Sequence, residues 1–258
     1  MRIFVTGAAS ALGRRVCALL SSHEIVALRH RAPVPGRAVD GALERPASYA
    51  DAANSADAVV HMAALTRARR REDYFRVNVE GTAALLSASR GHFVFVSTRA
   101  IGAGGGGYAA SKLRAENLIK ASGRPWTILR PSEIRESREG LSSLLTLARR
   151  FRVFPIPFWP TPTPMAPVDL ESVAQAVARC VGEARCHGKT YVLAGPRVIT
   201  FPQMRPPGVL GVPLPLFALH AAAVTGACPG VAPDQVSRLL LSKETDASAA
   251  ARDLEFHP

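Results

Sequence analysis

The sequence predicts an α/β fold, a doubly wound parallel sheet with a small C-terminal lobe. Three observations predict it. Short apolar runs alternate with helix-patterned segments over the first two-thirds of the chain. A glycine-bounded turn joins the first apolar run to the first helical one, and from Phe154 onward the texture becomes rich in proline.

The expected strands are 2–6, 24–28, 58–62, 93–97, 127–130 and 190–194, each short, apolar and followed by a turn or helix start. The expected helices between them are 11–22, 73–89, 108–122 and 170–183. Pro155, Pro157, Pro160, Pro162, Pro164 and Pro167 forbid a regular helix there, so a loop across the ligand-binding edge is expected. A second irregular region runs over 196–233, followed by short helices at 234–241 and 246–253. The division that follows is a dinucleotide-binding domain over 1–153 and a lobe over 154–258. Within the latter, 168–195 returns a helix and a strand to the sheet.

A chain of 258 residues, 48% hydrophobic and 20% charged, can bury a full core without crosslinks. Cys17, Cys180, Cys186 and Cys228 show no metal-ligand spacing, and no metal is expected. The strand pattern begins at Arg2 and leaves no room for a signal peptide, so a cytoplasmic location is expected. The net charge of +12 invites a nucleic-acid reading, yet the arginines are scattered and no basic stretch is interleaved with aromatics. A positive mouth for a phosphorylated cofactor or anionic substrate accounts for the same residues. Segment 206–233 contains no Asp, Glu, Lys or Arg, but Pro207, Gly208, Gly211, Pro213, Pro215 and His220 interrupt it, so no transmembrane segment is expected.

Chemistry concentrates first at Val5-Thr6-Gly7-Ala8-Ala9-Ser10-Ala11-Leu12-Gly13. Gly7 lets the chain turn sharply, Gly13 permits close helix–strand packing, and the amides at Ser10, Ala11 and Leu12 face a pyrophosphate. This is the Rossmann arrangement, with Ser10 in place of the usual middle glycine, where its Cβ crowds the phosphates. At the end of the second strand, Ala27-Leu28-Arg29-His30-Arg31 offers no carboxylate for a ribose diol. Arg29 therefore favours NADP(H), with NAD(H) the alternative.

The series Thr6-Gly7 to Gly13, Val59 to Ala64, Val77-Asn78-Val79-Glu80-Gly81-Thr82, Phe95-Val96-Ser97-Thr98, Tyr108-Ala109-Ala110-Ser111-Lys112, Leu129-Arg130-Pro131 and Pro167-Val168-Asp169 resembles the extended short-chain dehydrogenase/reductase superfamily of nucleotide-sugar epimerases, dehydratases and reductases. The four-residue spacing puts Tyr108 and Lys112 on one helix face, where a nearby ammonium favours the phenolate. The resemblance makes Tyr108 the acid or base and gives Lys112 the nicotinamide ribose as well. It makes Ser97 or Thr98 the polarising hydroxyl, with the reading leaning to Ser97. It gives Asn78 a role in active-site water or backbone geometry, and places Ala63 and Ala64 beside the cofactor. The interval from Ser97 to Tyr108 is short, and the glycines at 104–107 suggest a flexible lip to the site.

Two functions follow from these residues. One is an NAD(P)-dependent oxidoreductase or epimerase acting on a hydroxyl or carbonyl of a nucleotide-sugar-like molecule, whose diphosphate would suit Arg67, Arg69, Arg70 and Arg71. The other is a non-catalytic NADP(H)-binding subunit, structural or redox-sensing. The C-terminal segment 250–258 points that way, because it resembles the accessory NADPH-binding subunit of respiratory complex I. A homodimer through helices 73–89 and 108–122 is what the superfamily resemblance implies.

Overall fold

The computed structural model describes residues 1–135, 141–158, 164–226, 233–238, 241 and 243–258. In chain order the first half contains β1 (Arg2–Thr6), α1 (Ala11–Leu19), β2 (Glu24–Arg29), β3 (Arg37–Asp40), α2 (Ala50–Asn54) and β4 (Ala58–His61). Then come α3 (Arg71–Phe75), a π-helical turn (Arg76–Glu80), α4 (Gly81–Ala88), β5 (His92–Val96), α5 (Gly106–Lys120) and β6 (Trp126–Pro131). The remainder contains α6 (Leu141–Phe151), β7 (Val153–Phe158), β8 (Pro164–Met165), α7 (Leu170–Cys180), β9 (Lys189–Leu193), β10 (Ile199–Thr200), β11 (Leu210–Pro215), α8 (Leu216–Thr225), α9 (Pro233–Ser237) and α10 (Ser248–Leu254).

Seven strands form one parallel sheet in the order β3-β2-β1-β4-β5-β6-β9. Its central strands carry apolar side chains on both faces because both faces are covered. Ile3 and Val5 point into a core shared with Val16 of α1 and Val173 and Val177 of α7. Phe4 points the other way, against Phe93, Phe95, Leu85 of α4 and Ile119 of α5. Strand order reverses between β1 and β4, and the crevice at their carboxyl ends is where such sheets bind ligands.

The lobe departs from the expected loop. Proline excludes helix but not extended backbone, and β7, with Pro155 and Pro157, pairs in parallel with β11 from Val153 opposite Leu210 to Phe158 opposite Pro215. A two-stranded ribbon has two free edges, so the missing amides need no partner. The region expected to be irregular after Pro196 contains β10, β11 and α8. Of the helix expected over 234–241, the described residues show Pro233–Ser237, while 239 and 240 lie outside them. Pro160, Pro162 and Cys228 lie outside the described residues; the other three cysteines are buried and free. Among the described residues no helix is long and apolar enough to cross a membrane.

Candidate active site

A cavity of about 840 Å³ opens at the carboxyl ends of β1, β4, β5 and β6. The turn after β1 forms one wall. Gly7 has φ +78°, and a Cβ there would stand 2.7 Å from the Ala63 amide nitrogen, so neither the backbone conformation nor the space admits another residue. Ser10 caps α1: its Oγ accepts from the Gly13 amide at 2.9 Å and donates to the Gly7 carbonyl at 2.9 Å. The residue that replaces the usual middle glycine thus organises the helix start. The first amides of a helix have no intrahelical acceptor. With that of Gly13 taken by Ser10, those of Ala11 and Leu12, both lining the cavity, remain for an anion. Ala63, Ala64, Thr66 and Arg67 continue the wall beyond β4.

Thr98, Tyr108 and Lys112 line the same cavity. Tyr108 lies at the start of α5, where the Asp234 carboxylate of α9 accepts from its amide at 2.9 Å. A carboxylate at a helix N-terminus suits the dipole and fixes the ring's starting point. The ring packs edge-on against Tyr74 at 6.2 Å between centroids and lies under the Arg238 guanidinium at 4.7 Å. The glycines before it are not a loose lip. A Cβ at Gly105 would sit 2.4 Å from Leu241 Cδ1, and one at Gly106, φ +82°, 2.6 Å from Asp234 Oδ1, so the run is closed against the lobe.

Ser97 and Thr98 differ sharply. Ser97 Oγ donates at 2.6 Å to Glu116 Oε1, and Glu116, fully buried on α5, also takes both ends of the Arg130 fork at 3.0 and 2.6 Å. That hydroxyl proton is committed to structure. Thr98 Oγ1 accepts from the Ala100 amide at 3.1 Å, which leaves its proton available to the cavity.

Asn78 sits in the π-helical turn, 2% exposed. Its Oδ1 accepts from the Leu65 amide at 2.7 Å, and its Nδ2 donates to the Leu65 carbonyl and to Ser111 Oγ, each at 3.0 Å. It therefore ties the segment after β4 to α5. Beside it, Thr82 Oγ1 donates to the Asn78 carbonyl at 2.7 Å, so His61 Nε2 carries the proton given to Thr82, and Nδ1 accepts from Thr6 Oγ1 at 2.7 Å. Burial first, and Lys112 second, push His61 down to about 3, so it stays neutral.

Lys112 is 2% exposed; its Nζ donates to the Val96 carbonyl at 2.8 Å and stands 3.9 Å from the Phe95 ring centroid. Burial pushes its ammonium down from 10.5 to about 7, with Glu116 acting in the opposite sense. Near neutral pH the site is therefore only partly protonated, and an anionic ligand beside it would raise its affinity for a proton. NADPH binding above about pH 7 is expected to take up a fraction of a proton and to weaken as pH rises. Calorimetric titration in two buffers of different ionisation heat reads that uptake, which Lys112→Met should abolish.

A second charged group lies at the rim. Arg99 follows β5, Glu133 follows β6 and Lys243 precedes α10; Arg99 Nη2 donates to Glu133 Oε2 at 2.8 Å and Lys243 Nζ to Oε1 at 3.0 Å. Burial pushes Glu133 up, but Lys243 and then Arg99 outweigh it and hold the carboxyl at about 2. Sequence reasoning missed this trio and Asp234, because their partners are far apart in the chain. Glu116 had a signal, standing four residues after Lys112 on the same helix face.

Other expected contacts fall elsewhere. Arg29 ends β2 but is engaged by Asp40 of β3, through two bonds of 2.6 Å, and does not line the cavity. A carboxylate does therefore stand at the end of β2, supplied by the neighbouring strand that sequence reading overlooked. Of the four arginines after β4 only Arg67 reaches the cavity; Arg69, Arg70 and Arg71 are exposed, with Arg70 paired to Asp73.

Residues 7–183 match the model of a family described as NAD(P)H-binding. Among curated proteins, the chain is 30% identical over 192 residues to a ceramide reductase of Caulobacter vibrioides, covering 69% of this chain and 60% of that protein. It is 32% identical over 167 residues to 4-hydroxy-2-methyl-3-oxo-4-farnesyl-3,4-dihydroquinoline-1-oxide ketoreductase of Stigmatella aurantiaca, covering 51% of this chain and 49% of the other. The chain thus spans about half to three-fifths of the length of these relatives. In fold it matches a short-chain dehydrogenase/reductase superfamily protein of Agrobacterium tumefaciens with bound NAD, at TM-score 0.73 and 20% identity over 100% of this chain and 92% of that one.

Proposed function

The chain belongs to the NAD(P)H-binding family, and from that premise we propose that it is an NAD(P)H-dependent reductase of the short-chain dehydrogenase/reductase type, acting on an apolar carbonyl compound. The observation that carries the proposal is that the dinucleotide turn at Gly7 to Leu12 and the trio Thr98, Tyr108 and Lys112 line one cavity. A bound nicotinamide supplies hydride to the carbonyl carbon or, in reverse, accepts it from the alcohol. As the carbonyl π bond breaks, the Tyr108 phenol gives its proton to the oxygen, and solvent restores that proton. Thr98 Oγ1 donates a hydrogen bond to the same oxygen, while Lys112 holds positive charge beside the phenol and Asn78 keeps the wall at Leu65 in register. NADP(H) is the form proposed, because Arg14 lines the cavity at the start of α1 and Arg29 and Arg31 lie at the end of β2, although Asp40 holds Arg29.

The substrate half of the cavity supports an apolar molecule, since Ile134, Pro155, Met165, Phe201, Leu219 and Val236 line it, beside Arg99, Glu133 and Lys243, whose charges are paired with one another. The two curated relatives, one named for ceramide and one for a farnesyl-bearing dihydroquinoline oxide, point the same way. A nucleotide-linked sugar is the second reading, favoured by Arg67 in the cavity wall.

The choice of hydroxyl tests the assignment. Thr98→Val is expected to lower kcat about 10²-fold to 10³-fold, the usual cost of one donor to a developing oxyanion. Ser97→Ala should leave kcat within a few-fold and lower the melting temperature by exposing Glu116 to an unmet bond. Oxidation of NADPH across a panel of aliphatic ketones reads both, and the reverse pattern would overturn the assignment.

A further inference from the structure

The lobe that walls the substrate half differs from the rest of the surface in charge and in polarity. The two stretches 141–167 and 196–226, which build most of it, contain Arg149, Arg150, Arg152, Arg197 and Arg205 and no Asp or Glu, in a chain with 20 acidic residues. All five arginines are exposed. Arg152 and Arg205 donate to the backbone carbonyls of Gly208 and Val209 rather than to a carboxylate. Of eight large apolar side chains exposed among the described residues, seven fall between Phe151 and Val224, on this lobe.

Helix α8 concentrates the feature. Its residues Leu216–Thr225 contain no Asp, Glu, Lys or Arg, and all but His220 and Thr225 are apolar. Such a helix ordinarily lies within a protein core or a membrane. One side is indeed buried: Leu219 lines the cavity and packs with Ala223 and Val236. The other presents Phe217, Ala221 and Val224, spaced four and three apart on one stripe, with Phe217 78% and Val224 64% exposed.

We propose that this lobe docks on an anionic lipid surface, with the Phe217–Ala221–Val224 stripe among the acyl chains and the arginines on headgroup phosphates. A substrate with a hydrocarbon chain then reaches the cavity past α8; that clause alone rests on the reductase reading above. Charge complementarity selects the occupant. A second copy on the same face would bring five arginines against five with no carboxylate between them, and a nucleic acid would leave the apolar stripe unmet.

Flotation with vesicles of phosphatidylcholine, with and without phosphatidylglycerol, tests the proposal on the NADPH-loaded protein. The protein is expected to bind the phosphatidylglycerol vesicles, to bind pure phosphatidylcholine much less, and to be released by salt. Arg149→Gln and Arg150→Gln should each weaken partitioning about fivefold. Phe217→Ser with Val224→Ser should weaken it about tenfold or more. An unchanged melting curve and NADPH affinity show that these surface variants fold. Three results overturn the proposal: no binding to anionic vesicles at low salt, binding that survives all four substitutions, or a concentration-dependent dimer that the Phe217→Ser/Val224→Ser variant abolishes. Vesicle binding is read without turnover, so its failure and the failure of the reductase reading are separate outcomes.

Discussion

Replacing Tyr108 by Phe is expected to lower kcat about 10²-fold to 10⁴-fold while leaving NADPH affinity within about twofold, because only the phenol hydroxyl is removed. The ring position survives the change. Its amide remains tied to Asp234, and Tyr74 and Arg238 still enclose it. Single-turnover oxidation of bound NADPH separates the two effects, since it reads the chemical step without product release. A variant that keeps its rate would mean that another group supplies the proton, and no other phenol lines the cavity among the described residues.

Replacing Arg99 by Met is expected to cost about 3 kcal/mol of stability, the low end for breaking a buried ion pair, because Lys243 still partners the carboxylate left behind. For a chain of this size that is a fall in melting temperature of about 6–12 °C. Arg99 is 3% exposed and spans three parts of the molecule. It bonds Glu133 after β6 and the backbone carbonyls of Pro164 and Glu244 in the lobe. Glu133→Gln in the Arg99→Met background should deepen the loss, since it leaves the buried Lys243 ammonium without its carboxylate. The pH dependence has a defined sign. A carboxyl held at about 2 contributes its full stability above the ordinary carboxylate range and loses it as pH falls toward 2. Removing Arg99 raises that carboxyl, so the acid transition should move to higher pH.

The core of the fold was legible because parallel strands buried on both faces read as continuous apolar runs. Ile3-Phe4-Val5 and Phe93-Val94-Phe95 each feed two cores, and the turn between β1 and α1 has glycine where a Cβ meets backbone. Strand β3 was not legible, since Arg37–Asp40 is a four-residue edge strand with half its residues polar. Helix α8 gave no helical period because only His220 and Thr225 break its apolar run, and the prolines of β7 read as irregular when they are merely extended. In the site, Tyr108 and Lys112 were legible from their four-residue spacing together with the series of family motifs around them. Ser97 and Thr98 follow β5 and both line the cavity, and what separates them, the bond from Ser97 to the buried Glu116, is a packing contact that the sequence does not show. The Arg99–Glu133–Lys243 group joins residues 34 and 110 positions apart, beyond the reach of any local pattern. The Arg29–Asp40 pair was missed with β3 itself, which is why cofactor preference changes from a question about one side chain to one about a pair.

Transfer of deuterium tests most directly whether the cavity is a hydride-transfer site. NADPH carrying deuterium at nicotinamide C4 is incubated with the protein and a panel of long-chain ketones, and the alcohols are analysed by mass spectrometry. One deuterium at the carbinol carbon of a product, absent with Tyr108→Phe, is the predicted result. NADPH that binds stoichiometrically and gives its deuterium to no carbonyl compound would contradict the account and leave the chain a holder of its cofactor.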